Sequence, residues 1–386
     1  KGGLETVAKE LSHEWVKHNY GKAINICLDV GQDYHNPALE YIFDDNGNKI
    51  GYIEDQVIVY LIPAIDIVSN FPLPKIWTKQ CRFVLKQAKL FQADVLQTHT
   101  RFFLSSWMGG VFARKNKIKW VHIEHGSDYV KLGSKFKTFV AYLYDKTLGS
   151  WTLRKADKVV AISNACKKFL EKEFHINNVQ VIYRGLDFPT PSATKELKNK
   201  FPKKIIIGYV GRIYKWKNVH SLIQAYYSLN DKIKGITKLV IVGDGEELSN
   251  LKNLDKDNLI EFTGGVDGQK AIELQSQFDI HIHSSSPGGG LATTLLQAME
   301  LGCLIIATPN EGANEVITNG INGILLGNDT IQELKKGIEK GIEMSINQNE
   351  IVTNYRKINK EIIEKQFRRG NNIKNFFEMI VELKGK

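Results

Sequence analysis

No apolar run in this sequence approaches the ~20 residues that a bilayer-crossing helix needs, so a helical membrane span is excluded. Cysteine is scarce: Cys27, Cys81, Cys166 and Cys303 stand far apart, with no Cys-x-x-Cys pair. That argues against zinc and against a disulfide scaffold, and suits a reducing cytoplasm. The start, Lys1-Gly2-Gly3-Leu4-Glu5, has no apolar signal core, so no export signal is visible. It also lacks an initiator Met, and a natural beginning upstream of Lys1 is expected. Apolar residues themselves are not lacking. At 42% hydrophobic and 24% charged, the composition excludes a largely disordered chain. At 386 residues the chain is too long for one core, which favours two domains or three.

Charge is unbalanced. Lys and Arg number 52 against 42 acidic residues, a net +10. Nucleic acid, an anionic membrane surface or a phosphorylated substrate would each answer to it, as would an unspecialised basic surface. Nucleic acid is disfavoured, because no recognised binding module accompanies the charge.

Short β-rich runs alternate with longer amphipathic stretches in two successive halves. The first half has runs at Ala23–Leu28, Val57–Ile62, Asp94–Gln97, Trp120–Ile123, Lys158–Ile162 and Val179–Ile182, with helical patterns such as Leu4–His18 and Phe136–Leu153. Pro189, Pro191 and Pro202 mark a linker over Phe188–Lys204. The alternation restarts at Ile205–Val210, Lys238–Val242, Leu259–Phe262, Asp279–His283 and Cys303–Ala307, and only helical patterns follow Ile331. Such continuous apolar runs fit strands covered on both faces. The expected fold class is α/β, with two facing Rossmann-like, doubly wound domains and a cleft at the strands' carboxyl ends. The boundaries read as 1–188 and 204–360, with a helix over 361–386 returning to the first domain. Gly2-Gly3 leads straight into a helical pattern, so the first half's opening strand is expected upstream of Lys1.

Five segments carry chemistry. In Gly208–Asn218, Gly211 allows close backbone approach, while Arg212 and Lys217 offer a planar fork and a point charge suited to a diphosphate. The alternative is a solvated basic loop. Gly243-Asp244-Gly245 invites a dinucleotide reading, but Leu248 stands where that fingerprint needs a small residue, leaving a tight strand-to-helix loop. Pro287-Gly288-Gly289-Gly290-Leu291 opens a helix whose unobstructed N–H groups would favour an anion or a sugar hydroxyl. The bland alternative is a flexible turn. His99 and His125 stand at strand ends in the first half, a placement shared by catalytic and by merely hydrogen-bonded histidines.

Taken in order, these segments resemble the GT-B retaining glycosyltransferases of family 4, over almost the whole chain. Gly2-Gly3-Leu4-Glu5 is similar to the family's Gly-Gly-x-Glu loop under the donor phosphates. Val121–Asp128 is similar to the segment with the catalytic-site histidine, which maps onto His125. Tyr183–Asp187 resembles the Asn-Gly-x-Asp turn, with Arg184 in place of Asn. Gly211-Arg212 with Lys217 matches the donor-diphosphate pair, although Asn218 replaces the usual Gly. Gly243–Gly245 matches a glycine loop, Phe262-Thr263-Gly264-Gly265-Val266 the base-side loop, and Gln297–Gly302 the Glu-Ala-Met-x-x-Gly helix. The family's two glutamates, eight positions apart, fall on Gly289 and Gln297, so both carboxylates are missing and donor preference is put in doubt.

The resemblance implies sugar transfer from a UDP- or GDP-linked donor, metal-independent and without a cofactor, to a glycan or lipid-linked acceptor. It places Gly2, Gly3, Gly211, Arg212, Lys217, Gly243, Thr263, Val266, Gly289, Gly290, Leu291, Thr293 and Gln297 at the donor. His125, Arg212 and Lys217 are the catalytic candidates, with His99, Arg101 and Asp128 on the acceptor side. With no nucleophilic carboxylate in the family-equivalent positions, same-face attack is the implied route. The alternative is a catalytically idle subunit that binds a sugar nucleotide or glycan and supports a partner. Two stretches, Arg101–Lys119 and Lys131–Tyr144, combine aromatics with lysines. They read either as a peripheral surface for anionic lipid on the cytoplasmic face or as helices packed on a sheet with snorkelling lysines.

Overall fold

A computed structural model describes residues 3–31, 39–44, 46–68, 71–130, 134–183, 185–187, 204–286, 291–310 and 312–385. The chain divides into two compact units, Lys1–Arg184 with Gly370–Lys386, and Gly185–Arg369.

The first unit has two sheets. One contains β1 (Ile24–Asp29), β2 (Glu40–Phe43), β3 (Lys49–Glu54), β4 (Val57–Val68) and β5 (Phe71–Pro74). Only β1 and β4 run parallel; β2, β3, β4 and β5 form an antiparallel meander. The sequence pattern predicts parallel strands throughout and gives no sign of β2, β3 or β5. The reason is local. β2 and β3 are short and only partly apolar, and the turn between them is set by Asp44, whose Oδ1 accepts the N–H groups of Asn46 and Asn48 at 2.9 and 2.8 Å. The other sheet is wholly parallel, in the order β6 (Val95–His99), β7 (Lys119–Glu124), β8 (Lys158–Ala161) and β9 (Val179–Val181). Trp120 to Glu124 are all buried, as a central strand covered on both faces requires.

From Gly370 onward the C-terminal helix Arg369–Lys384 belongs to this unit. Its Phe376, Phe377, Met379 and Ile380 pack with Val121, Ile123 and Val160 of the sheet. Burying each such side chain stabilises by roughly 1.5–3 kcal/mol.

The second unit has one six-stranded parallel sheet, made of β10 (Ile205–Val210), β11 (Thr237–Val242), β12 (Ile260–Gly264), β13 (Ile280–His283), β14 (Leu304–Ala307) and β15 (Ile324–Leu325). The order is β12-β11-β10-β13-β14-β15, so the direction of winding switches beside β10. In an open α/β sheet the loops beyond the strand ends at that switch are where ligands bind. Leu186 N–H donates to Phe367 O at 2.9 Å, and Arg369 N–H returns a bond to Leu186 O at 3.2 Å. Arg369 pairs with Asp187 at 2.6 Å and Arg368 with the buried Glu300 at 2.8 Å, so the two ends of this unit's chain are clasped together.

Candidate functional site

The two units carry separate groups of candidate residues. In the second, the loops after β10, β11 and β12 are laced by backbone bonds. Gly211 N–H donates to Val242 O, Gly243 N–H to Gly264 O and Ile213 N–H to Asp244 O, at 3.0, 3.1 and 2.9 Å. Because the Gly211 and Gly243 N–H groups already have these partners, they are not the donors an anion would use. What glycine supplies is room: a Cβ on Gly243, at φ +142°, would lie 1.9 Å from Gly211 O. Two loops can therefore touch where any larger residue would force them apart.

Arg212 projects from this platform into solvent, with Tyr209 hydroxyl donating to its carbonyl at 3.0 Å. Lys217 closes a 3₁₀ turn, Lys215–Lys217, and its Nζ lies 4.1 Å from the Trp216 ring centroid. Burial lowers its ammonium below the ordinary lysine value. The turn is tied from two sides: Ser284 hydroxyl donates to Lys217 O at 2.8 Å, and Ser286 N–H to Trp216 O at 2.9 Å. Asn218, which stands where the family has glycine, has φ +55°, a left-handed backbone that among side-chain-bearing residues Asn adopts most readily. Its amide also donates to Asp329 O at 2.8 Å, so the exchange of Gly for Asn keeps the turn.

Beneath the turn, His281 and His283 are almost wholly buried and both are pushed down to about 3, by burial first. The His283 shift is deepened by the Lys217 charge and the His281 shift by His283. Thr263 is half-buried, with its hydroxyl donating to Gly264 O at 3.0 Å; Val266 and Leu291 are also partly buried. Helix Thr293–Glu300 begins without a side-chain cap, with Thr293 exposed and Gln297 half-buried one turn on. Gly2, Gly289 and Gly290 lie outside the described residues, and Gly3 begins helix Gly3–Lys17.

In the first unit, β6 and β7 end side by side, and this brings His99 and His125 together: His99 Nδ1 lies 3.1 Å from His125 Nε2. Asp128 is exposed in the same loop as His125. Arg101 is not displayed to an acceptor. Its side chain is 2% exposed, with Nη1 3.1 Å from Glu124 Oε1 and Nη2 3.0 Å from Asp145 Oδ2. Nη2 also donates to Asp128 O, and the guanidinium lies over the Phe169 and Phe174 rings.

Glu124 and Asp145, which no sequence motif singles out, organise the site. Glu124 Oε1 accepts the backbone N–H groups of His125 and Gly126 at 3.0 and 2.8 Å, while Oε2 accepts that of Arg101 at 2.9 Å. One buried carboxylate thus fixes both histidine-bearing loops. Burial alone would raise it, but the Arg101 charge and the His122 hydrogen bond outweigh burial and hold it far below the usual carboxylate range. For Asp145 burial prevails over Arg101, and its carboxyl is raised to about 6. A signal for Glu124 exists in the sequence: a carboxylate between two histidines in an otherwise apolar run, Trp120–His125, has to be paired if that run is a central strand.

The family description "Glycosyltransferase Family 4" matches residues 1–188 and "Glycosyl transferases group 1" matches residues 192–358. An uncharacterized glycosyltransferase of Methanocaldococcus jannaschii is 42% identical, with 98% of this chain and 95% of the relative covered. The phosphatidylinositol N-acetylglucosaminyltransferase GPI3 subunit of Saccharomyces cerevisiae is 23% identical over 78% of this chain and 64% of its own length. Among solved structures, HepE of Anabaena in complex with UDP superposes with a TM-score of 0.65 at 20% identity, covering 84% of this chain and 86% of that one. Sheets of parallel strands in two units, family matches along nearly the whole length and a full-length relative at 42% identity agree: the chain belongs to glycosyltransferase family 4 and has the GT-B fold.

Proposed function

We propose that this glycosyltransferase moves a hexosyl or N-acetylhexosaminyl group from a UDP- or GDP-linked donor to a glycan or lipid-linked acceptor, with retention of configuration. The setting is cell-surface polysaccharide or glycoconjugate synthesis at the cytoplasmic face of a membrane. The observation that carries the reading is the pair Arg212 and Lys217, two cations at the carboxyl end of β10, next to the topological switch. HepE, which holds UDP, supports a nucleotide-sugar donor. The yeast relative, whose name specifies a phosphatidylinositol acceptor, supports a lipid-linked one.

In the transfer, the bond from the anomeric carbon to the diphosphate oxygen breaks and a bond to the acceptor hydroxyl oxygen forms on the same face. The acceptor's proton passes to the departing diphosphate. Arg212 and Lys217 meet the charge that grows on that leaving group, so the reading calls for no metal ion. His125 contacts the transferred sugar. Helix Thr293–Glu300 has no carboxylate at position 297, where Gln297 offers the ribose a neutral hydrogen bond.

The test is nucleoside diphosphate release across a panel of donors and acceptors. Arg212→Ala and Lys217→Ala should each lower kcat/KM by about 10- to 100-fold, the loss of one charge-assisted bond of roughly 1.5–3 kcal/mol. Unchanged turnover in both variants would remove the diphosphate role. Saturable sugar-nucleotide binding without turnover on any acceptor would favour the idle-subunit reading, which Gly289 and Gln297 support.

A further inference from the structure

The His99–His125 contact is one link of a longer chain. Gln97 Nε2 lies 2.6 Å from His99 Nε2, and His99 Nδ1 lies 3.1 Å from His125 Nε2. A side-chain amide nitrogen only donates, so His99 Nε2 must accept. We propose that Gln97 and His99 are positioning residues that hold His125 in one tautomer, with its proton on Nδ1 and its Nε2 as acceptor. The proposal rests on the transfer reading for its catalytic consequence, but not for the hydrogen-bond order itself.

The order follows link by link. With Nε2 accepting from Gln97, a neutral His99 carries its proton on Nδ1 and donates it to His125 Nε2. His125 then keeps its own proton on Nδ1. His99 stays neutral because it is enclosed: burial, then the neighbouring His125 and His122, lower it well below the ordinary histidine range. A proton added to His125 Nε2 would set two N–H groups against each other. His125 is therefore held as a neutral imidazole with Nδ1 as its donor side, not as an imidazolium.

The backbone is shaped to keep this arrangement. Between His99 and Arg101, Thr100 has φ +61°, a left-handed conformation that a β-branched residue adopts only under constraint. Its hydroxyl is buried without a hydrogen-bond partner among the described residues. The constraint comes from both sides: Ser106 hydroxyl donates to His99 O at 2.6 Å, Thr100 N–H donates to Ile123 O at 2.8 Å, and Arg101 N–H donates to Glu124. The result is that His99 meets His125 while Arg101 turns inward to the carboxylate that fixes the His125 backbone. Strain of this kind, maintained beside a candidate catalytic group, is what a positioning device requires.

Long-range proton–nitrogen NMR spectra of the full-length protein labelled with ¹⁵N-histidine read the tautomers directly. His99 and His125 should both appear as Nδ1–H imidazoles, with assignments taken from the spectra that lose one signal in His99→Gln and in His125→Asn. Gln97→Leu should mix the His99 tautomers. His99→Leu should release His125 from its single tautomer and lower kcat by about 10- to 100-fold at unchanged donor KM, whereas His99→Gln, which restores an N–H donor, should stay within about threefold of the parent. His125 protonated on Nε2 in the parent protein, or a His125 tautomer indifferent to both Gln97→Leu and His99→Leu, overturns the proposal. These spectra need no substrate, so a failure of the hydrogen-bond order is distinguishable from a failure of sugar transfer in the turnover assay.

Discussion

Arg101 is the residue on which most of the first unit's site depends. It neutralises two buried carboxylates, Glu124 and Asp145, that belong to different elements, and its charge is the reason Glu124 can stay ionised where it holds the His125 loop. A buried ion pair is weak support for stability when replaced as a whole, yet removing one partner strands the other. Arg101→Met keeps bulk over the Phe169 and Phe174 rings but leaves both carboxylates uncompensated. It should cost about 3–5 kcal/mol in urea unfolding at pH 7.5. Adding Glu124→Gln should recover part of that loss, since the double variant no longer buries an ionised Glu124. A loss below about 1 kcal/mol in Arg101→Met would show that water reaches the cluster and relieves it.

At the scale of elements, helix Lys135–Tyr144 is the clearest surplus. Phe136 is 76% exposed and Phe139 58%, and Val140, Tyr142 and Leu143 are exposed as well, next to Lys135 and Lys137, with no acidic residue on the helix. Packing within the unit accounts for Ala141, which is buried, for Tyr144, whose ring meets Phe102, and for Tyr142, which meets Tyr129 edge-on; Phe136, Phe139, Val140 and Leu143 stay exposed among the described residues. The peripheral-membrane part of the proposed function would assign this apolar face and its lysines to an anionic bilayer. Phe136→Ser with Phe139→Ser should cut flotation with vesicles containing about a third phosphatidylglycerol by at least tenfold, each buried aromatic contributing roughly 1.5–3 kcal/mol, while leaving unfolding unchanged. Equal flotation of parent and variant would assign the face to something else. The other stretch, Arg101–Lys119, fits the packed reading: helix Leu104–Asn116 buries Ser106, Gly110 and Ala113 against the sheet. Elements of this kind mark what a sequence displays. The parallel strands are legible because burial on both faces leaves continuous apolar runs, and the β10 loop because its glycine and cations occur together. β2, β3 and β5 are not, because strands of four to six residues that are only partly apolar carry little periodicity, and turn chemistry is their main mark. Arg101 is legible as a charge but not as a buried one, because its partners lie 23 and 44 residues away and only the fold brings them to it.

For the molecule as a whole, the two units should respond differently to acid. In the second unit His281 and His283 have folded values of about 3 against about 6.5 in an unfolded chain. As pH falls below 6.5 the unfolded chain takes up two protons that the folded unit refuses, so stability present above that value is progressively lost. Between pH 7.5 and 5.5 each histidine accounts for about 1.4 kcal/mol, or about 2.7 kcal/mol for the pair. The first unit carries opposing contributions. His99, also depressed, destabilises on acidification, whereas Asp145, raised to about 6 from an unfolded value near 3.9, stabilises as it gains its proton over the same range. Glu124 enters only below its unfolded value near 4.3, because its folded value is depressed. Hydrogen exchange of the slowest core amides, such as Ile241 and Ile306 in one unit and Val121 and Val160 in the other, should therefore show opening free energies that diverge between pH 7.5 and 5.5. The second unit should lose about 2–3 kcal/mol more than the first, and His281→Gln should remove about half of the difference. Parallel decline of both units would mean that His281 and His283 take up protons in the folded state, and so that the floor beneath the Lys217 turn is open to water.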